Sequence, residues 1–153
     1  MERAVNGKYQ MDVNKSKSVF NVGKRILDIQ FSIIGLLAVI PLIVIAAILI
    51  KLETKGPIMY TQERIGKDGH SFMIYKLRTM HCNAEKDGIK WAQKNDSRVT
   101  KVGRLLRKTR IDELPQLVNV FKGEMSIVGP RPERAHFIKE FSKELPEFSE
   151  RLA

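Results

Sequence analysis

The chain has 153 residues and carries 27 lysines and arginines against 17 aspartates and glutamates, a formal net charge of +10. This length suits about one domain, and the charge favours an anionic partner: nucleic acid, anionic lipid headgroups or phosphorylated small molecules. A single cysteine excludes an intramolecular disulfide framework and indicates a reducing compartment.

An uncharged apolar run from Ile29 to Ile50 follows a polar N-terminal segment, residues 1–20. Its length of about 22 residues is enough for a helix to cross a bilayer. It lacks the short apolar core and small-residue cleavage site of a secretory signal. We therefore predict a retained membrane element over residues 21–52, and the alternative is a buried core helix.

Pro41 lies near the middle of this run. It removes a backbone donor and clashes with the preceding turn, which predicts a kink or a break. Lysines and arginines flank the run on both sides. The positive-inside rule, which reads orientation from a difference in Lys and Arg between the two flanks, therefore indicates no orientation. These residues leave two topologies open: a helix–break–helix that enters and leaves on one face, and a kinked helix that spans the bilayer.

The residues after the apolar run predict a small β-hairpin and several helices. The β-prone runs 58–60 and 71–75 are separated by a glycine-containing polar loop, which is typical of a hairpin. Residues 81–98 predict a loop with a short helix around Trp91. The fold class expected for the chain is α+β and mostly helical.

Residues 99–110 predict an amphipathic helix with one apolar and one basic face. Such a helix could lie in the membrane interface with its arginines reaching anionic groups. The alternative is a solvated charged face on a helix packed against an ordinary core. Further helices are predicted over residues 113–121 and 133–143.

Asp112 and Glu113 are adjacent carboxylates between a basic stretch and a proline. Asp112 falls where a helix N-cap would lie, which predicts a lowered pKa and an ionised carboxylate. Adjacent carboxylates can divide roles, one binding a hard divalent cation and the other handling a proton. The alternative is a plain helix cap followed by a first-turn glutamate.

Arg131 lies between two prolines that fix the local backbone and reduce the entropy lost on binding. Its planar guanidinium suits phosphate oxygens better than a lysine ammonium does. The segments 62–66 and 75–79 supply further cations. Together these residues predict a phosphate-rich pocket whose charge a divalent cation would help neutralise.

In this order along the chain, the motifs resemble those of the bacterial sugar transferase family. These are monotopic polyprenyl-phosphate phosphoglycosyl transferases, which begin glycan assembly for capsules, exopolysaccharides, O-antigens and glycoproteins. The resemblance runs from Lys24 to the C-terminus. The matching motifs are Lys24–Asp28, Gln62–Gly66, Ile74–Met80, Ser97–Arg107, Asp112–Leu117, Asn119 and Met125–Pro132.

The resemblance implies a two-step reaction on the cytoplasmic face of the bacterial inner membrane. Asp112 would attack the sugar-linked phosphate of a nucleotide-diphosphate sugar, expected to be a UDP-sugar. A phosphosugar–aspartyl intermediate would form and a nucleoside monophosphate would leave. Polyprenyl phosphate, usually undecaprenyl phosphate, would then take the phosphosugar. Glu113 would assist as base or metal partner, and Asp112 and Glu113 would hold Mg²⁺.

The resemblance also implies substrate-binding residues and a topology. Arg107 and Arg131 match family positions associated with phosphate binding. Three further residues that lie in family motifs are also expected to bind the substrate: Lys76, Arg78 and Arg64. The helix would be re-entrant, confined to one leaflet and broken at Pro41. Residues 53–153 would form the cytoplasmic interfacial catalytic domain. Family domains usually continue with a basic Lys-Pro-Gly stretch and further helices, so we expect a C-terminally truncated domain.

Two other interpretations stay open at this point. The chain could be an inactive, truncated relative of the family. It could instead be a membrane-bound basic module that recruits anionic lipid or nucleic acid, with steeply salt-dependent binding. Under the leading interpretation the partners are a nucleotide sugar, polyprenyl phosphate and membrane lipids, without nucleic acid. The sugar and any homo-oligomer are left open.

Overall fold

The computed structural model describes residues 2–66, 69–86, 88, 93 and 96–138, with side chains from residue 20 onward. This part of the chain is α+β with a long apolar helix and a two-stranded hairpin, so the predicted fold class is confirmed. The elements are α1 (Glu2–Glu53), β1 (Met59–Ile65), β2 (Ser71–Leu77), α2 (Lys101–Thr109), a 3₁₀ helix (Ile111–Gln116) and α3 (Leu117–Lys122).

Helix α1 has one narrow covered side and a wide exposed apolar side. Within the described residues it is the one helix long and apolar enough to cross a membrane. Asp28, Ser32, Ala46 and Ile50 are buried, and their spacing of whole helical turns places them on one face. The exposed apolar residues include Phe31, Ile34, Leu37, Ile40, Val44, Ile45 and Ile48.

The helical assignment of α1 continues through Pro41. The predicted break is therefore not seen at this residue. Proline removes its own backbone donor, and the hydrogen bonds of the turns before and after it are sufficient to maintain a helix.

The N-terminal half of α1 is attached to α3 and to the loop that follows it. Arg25 donates to the backbone carbonyls of Val120 and Phe121, each at 2.6 Å. These carbonyls belong to the last turn of α3, where a helix leaves its acceptors unpaired. The Asp28 carboxylate accepts from the backbone N–H of Ile127 at 3.1 Å. The Lys24–Asp28 motif before the apolar run thus joins α1 to the domain.

The C-terminal end of α1 is attached to α2. The Glu53 carboxylate accepts from the backbone N–H groups of Lys101 at 2.6 Å and Val102 at 2.9 Å. These donors lie in the first turn of α2, where a carboxylate is favoured. Arg78 donates to the backbone carbonyl of Thr54 at 2.9 Å. Both ends of the apolar segment therefore contact the same domain.

The predicted hairpin is confirmed, and its strands are longer than the sequence indicated. They pair antiparallel from Met59 opposite Leu77 to Ile65 opposite Ser71. Asn119 of α3 is fully buried and fixes the hairpin from one side. Its amide donates to a β2 carbonyl at 2.8 Å and accepts from a β2 N–H at 3.1 Å.

A small apolar core forms where α1, β2 and α2 meet. Its buried members are Ala46, Ile50, Leu77 and Leu106, with Ile43, Ile58, Val102 and Ile111 packed against them. Helix α2 approaches the backbone after β2 very closely at Gly103. A Cβ atom at this position would lie 2.0 Å from the carbonyl oxygen of Thr79. Glycine is therefore required for this contact.

The chain after α2 differs from the predicted single helix over residues 113–121. Arg110 adopts a left-handed conformation with φ of 60° and ends α2. A 3₁₀ helix containing Pro115 follows, and α3 begins at Leu117. The proline restricts the preceding turn, so the tighter helix precedes the α-helix. Of the predicted last helix, residues 135–138 are helical, whereas Glu133 pairs with the end of β1. Residues 139–143 and the predicted helix around Trp91 lie outside the described residues.

Gly103→Ala should lower the free energy of unfolding by about 1–3 kcal/mol, because the added methyl group overpacks a rigid backbone contact. Thermal denaturation would measure the loss. Gly23→Ala is the matched control: Gly23 is also helical, and apart from the neighbouring residues and backbone of its own helix no atom lies within 4 Å of the added Cβ. Alanine favours a helix over glycine by about 0.5–1 kcal/mol, so this variant should be neutral or stabilised. A loss of equal size in both would contradict the close approach of α2.

Candidate active site

One cavity of about 640 Å³ lies between the hairpin, the 3₁₀ helix and the loop that carries Arg131. It brings together residues separated by up to 80 positions in the sequence, from Pro57 to Phe137. All seven predicted catalytic and substrate-binding residues line it: Arg64, Lys76, Arg78, Arg107, Asp112, Glu113 and Arg131.

Asp112 lies in the first turn of the 3₁₀ helix, and the N-cap of that helix is Arg110. The predicted N-cap position of Asp112 is therefore wrong. Asp112 is 7% exposed, and its Oδ1 atom is buried with no hydrogen-bond partner among the described residues. A buried acceptor without a donor is unusual in native proteins and points to a functional site.

The pKa of Asp112 is raised above its usual value, contrary to the predicted lowering. Burial is the main cause and the neighbouring charge of Glu113 adds to it, while Lys76 and Arg107 act in the opposite direction. The prediction failed because it assumed that the Asp112 carboxylate accepts hydrogen bonds from free backbone N–H groups at a helix N-terminus. The fold instead buries the carboxylate away from water, which disfavours its charged form. The free lone pairs of Oδ1 are available to a substrate atom or a cation.

Glu113 has the opposite environment. Burial by itself would raise its pKa, but the hydrogen bond and charge of Lys76 and the charge of Arg131 outweigh it, so the pKa is lowered. Its Oε1 atom accepts from Lys76 Nζ at 3.0 Å and from Arg131 Nη2, and Arg110 lies 3.9 Å away. Glu113 is thus a stable anion that organises three cations around the cavity.

Arg107 reaches the cavity from the last turn of α2. Its Nε atom donates to Thr79 Oγ1 at 2.8 Å. The two terminal nitrogens of its guanidinium have no hydrogen-bond partner among the described residues. This geometry leaves a pair of donors that can bind two phosphate oxygens.

Arg131 is held beside the acid pair by the loop that contains the two prolines. The residue after this loop, Glu133, pairs with the end of β1, where the Ile65 N–H donates to the Glu133 carbonyl at 2.9 Å. The Arg131 side chain is 53% exposed. It can therefore leave Glu113 and bind an incoming anion without disturbing packed side chains.

Arg64 and Arg78 line the cavity, but protein acceptors already engage both terminal nitrogens of each guanidinium. Arg64 bonds Glu133 at 2.9 Å and Gln62 at 2.8 Å, and its pKa is lowered mainly by burial. Arg78 is buried and bonds backbone and side-chain atoms at the end of α1. Both arginines are placed to support the cavity wall. Their predicted contact with substrate stays a prediction.

Thr79 and a polar group at the cavity margin were not predicted as site residues. In that group Arg134 donates to Glu85 at 2.6 Å and to the Tyr60 hydroxyl at 3.3 Å. Thr79 lies within the motif Ile74–Met80, and Arg134 follows the motif Met125–Pro132 closely, which was the available signal. Glu85 lies in a polar loop whose sequence carries no pattern.

The donor set of Asp112 and Glu113 fits a hard divalent cation. Among the described residues, no group of three or more His, Cys, Asp and Glu could hold a metal. Mg²⁺ is commonly bound by one or two carboxylates, with substrate phosphates and water completing the shell. The unpaired Oδ1 of Asp112 supplies one free ligand atom, so the two carboxylates suit a cation that arrives with a diphosphate.

Comparison with known proteins agrees with this combination of cavity and apolar helix. Residues 19–153 match the family described as bacterial sugar transferase. A Bacillus subtilis (strain 168) protein is 57% identical over 129 residues, covering 84% of this chain and 72% of that protein. It is provisionally named undecaprenyl-phosphate N-acetylgalactosaminyl 1-phosphate transferase.

Two further relatives are longer than this chain. The UDP-glucose:undecaprenyl-phosphate glucose-1-phosphate transferase of Caulobacter vibrioides (strain ATCC 19089 / CIP 103742 / CB 15) is 46% identical over 128 residues, covering 84% of this chain and 48% of that protein. The exopolysaccharide production protein PSS of Rhizobium leguminosarum bv. phaseoli is 44% identical over 109 residues, covering 71% and 54%. This chain thus spans about half the length of these two relatives.

The chain has the features of a membrane-associated transferase of phosphorylated groups: a lipid-compatible helix joined to a cationic cavity with a buried acid. It belongs to the bacterial sugar transferase family. The predicted family and the predicted enzyme class, a phosphoglycosyl transferase, are confirmed.

Asp112→Asn should raise the melting temperature at pH 7, because the buried carboxylate disfavours the folded state whenever it is ionised. A carboxyl whose pKa is raised by folding contributes stability below its ordinary pKa and loses it as the pH rises through the raised value. The advantage of Asp112→Asn should therefore grow from about pH 4 to pH 7. Thermal denaturation across this range would measure it.

Glu113→Gln is the matched control and should change stability in the opposite direction. Its pKa is lowered, so ionised Glu113 stabilises the folded protein above its ordinary pKa, and that stability is lost as the pH falls. Glu113→Gln should lower the melting temperature at pH 7. Shifts of the same sign in the two variants would contradict the contrast between the two carboxylates.

Proposed function

We propose that the chain transfers a phosphosugar from a UDP-sugar to undecaprenyl phosphate on the cytoplasmic face of the bacterial inner membrane. The observation that carries the proposal is Asp112: a buried carboxylate with an unpaired oxygen, in a cavity shared with Lys76, Arg107 and Arg131. The names of the relatives describe this reaction with N-acetylgalactosamine or glucose as the sugar. The reaction begins a membrane-bound glycan such as an exopolysaccharide, capsule or O-antigen.

In the first step an Asp112 oxygen attacks the phosphorus that carries the sugar. An aspartyl–phosphorus bond forms and the bond from that phosphorus to the bridging oxygen breaks, so UMP leaves with the electron pair. Burial favours this step, because a poorly solvated carboxylate keeps its lone pairs free. Arg107 and Arg131 bind the non-bridging oxygens and stabilise the charge that moves towards UMP.

In the second step a phosphate oxygen of undecaprenyl phosphate attacks the same phosphorus. The aspartyl–phosphorus bond breaks, Asp112 is regenerated, and the sugar is left on a lipid diphosphate. Both nucleophiles react as anions, a carboxylate and a phosphate, so neither attack requires a base to remove a proton from a hydroxyl group. Glu113, with its lowered pKa, would act by holding Lys76 and Arg131 and by binding a metal, more than as a base.

Mg²⁺, held by Asp112 and Glu113 together with substrate phosphates, would supply charge neutralisation for the diphosphate. Lys76 compensates part of the charge of Glu113 at 3.0 Å. Glu113 can therefore remain ionised before the diphosphate binds.

The helix α1 is proposed to stay within one leaflet and to keep both ends on the cytoplasmic face. The family resemblance implies this placement with a break at Pro41, whereas the helix is continuous there. The supporting observation is its attachment to the domain at Arg25 and at Glu53. Along a helix that rises about 1.5 Å per residue, Arg25 and Glu53 are about 42 Å apart. This distance exceeds the hydrocarbon thickness of a bilayer, which is about 30 Å. A spanning helix would draw charged elements of the domain into hydrocarbon, which is strongly unfavourable.

Incubation of the membrane-embedded protein with UDP-N-acetylgalactosamine or UDP-glucose, without undecaprenyl phosphate, should add a phosphosugar to the Asp112 peptide. Mass spectrometry would detect the adduct, and an equal amount of UMP should be released. Asp112→Asn should abolish both. Glu63→Gln is the control, because Glu63 is an exposed strand residue outside the cavity. Equal UMP release by Asp112→Asn and the native chain would exclude Asp112 as the nucleophile.

The proposed topology can be tested with single cysteines at the two ends of the apolar segment. In a Cys82→Ser background, Val22→Cys and Lys51→Cys should both react with a membrane-impermeant maleimide from the cytoplasmic side. Both positions are exposed, so burial within the protein does not prevent the reaction. Labelling of the two cysteines from opposite sides would demonstrate a spanning helix and contradict the proposal.

A further inference from the structure

We propose that Thr79 is a positioning residue that aims the guanidinium of Arg107 at the substrate diphosphate. The inference rests on the proposed function, because it takes Arg107 as a phosphate ligand. Thr79 does not itself have to touch the substrate.

The geometry joins the two side chains directly. Thr79 Oγ1 accepts from Arg107 Nε at 2.8 Å, a good hydrogen-bond distance. This bond uses the single N–H donor of Nε. The terminal nitrogens keep their donors for oxygens of a phosphate, and the planar group can rotate less about its long side chain.

Thr79 is itself held in place by its backbone. Its carbonyl oxygen accepts from the Thr100 N–H at 3.1 Å, and α2 packs against it through Gly103. The preceding residue, Arg78, is bonded to the end of α1. Thr79 is only 7% exposed. The hydroxyl therefore has a fixed position set by both α1 and α2.

The Thr79 hydroxyl restricts the side-chain freedom of Arg107 before an anion binds. Arginine loses considerable side-chain freedom when it binds an anion, and that loss is smaller when one edge is already fixed. Among the described residues, the hydroxyl has no other hydrogen-bond partner than Arg107. Removing it should leave the backbone contacts of Thr79 in place and release Arg107.

The test compares Thr79→Val with Thr79→Ser. Valine keeps the shape and removes the acceptor; serine keeps the acceptor. Thr79→Val should lower kcat/KM for UMP release from the UDP-sugar by about tenfold, which corresponds to about 1.4 kcal/mol. Thr79→Ser should restore most of the lost activity. Similar melting temperatures of the two variants would show that the fold is preserved.

A double-mutant cycle separates positioning from a general structural effect. Arg107→Lys keeps the positive charge and removes Nε, so Thr79→Val should add little further loss in that background. If Thr79→Val lowered kcat/KM by the same factor in the native chain and in the Arg107→Lys variant, the inference would be overturned. Equal activity of Thr79→Val and Thr79→Ser would also overturn it. Absence of UMP release by the native chain would instead reject the proposed function.

Discussion

The attachment of the apolar helix to the domain at both ends is the constraint on which the site depends. At one end Arg25 bonds the last carbonyls of α3, and at the other Glu53 bonds the first N–H groups of α2. Helices α2 and α3 flank the 3₁₀ helix that carries the acid pair. Because charged side chains of α1 complete the ends of these helices, the cavity is built directly on that helix.

The two adjacent carboxylates illustrate how neighbouring residues acquire different chemistry. Asp112 is turned into the protein, with an oxygen that lacks a donor, and burial raises its pKa. Glu113 meets Lys76 and Arg131, and its pKa is lowered. One carboxylate is left reactive and the other organises cations. This division agrees with the proposed nucleophile and its assistant, and it arises from environment alone.

The hairpin, the basic helix α2 and the cavity residues could be predicted because each has a local signal. Alternating β-prone residues with an intervening turn gave the hairpin, and the three- and four-residue spacing of Val102, Leu105 and Leu106 gave α2. The 3₁₀ helix before α3 was missed, because Asp112 was interpreted as the N-cap of a single helix over residues 113–121. Thr79 was missed because its importance lies in a contact with Arg107, 28 residues away.

By itself, the sequence determined the apolar element, the cationic character, the acid pair and the family motifs. These are properties of composition and short-range order. The tertiary structure decided which cations are engaged by protein acceptors, as Arg78 is, and which keep free donors, as Arg107 does. It also reversed the predicted shift at Asp112. Desolvation and hydrogen bonding depend on neighbours brought together by packing, so a local sequence pattern could not supply their sign.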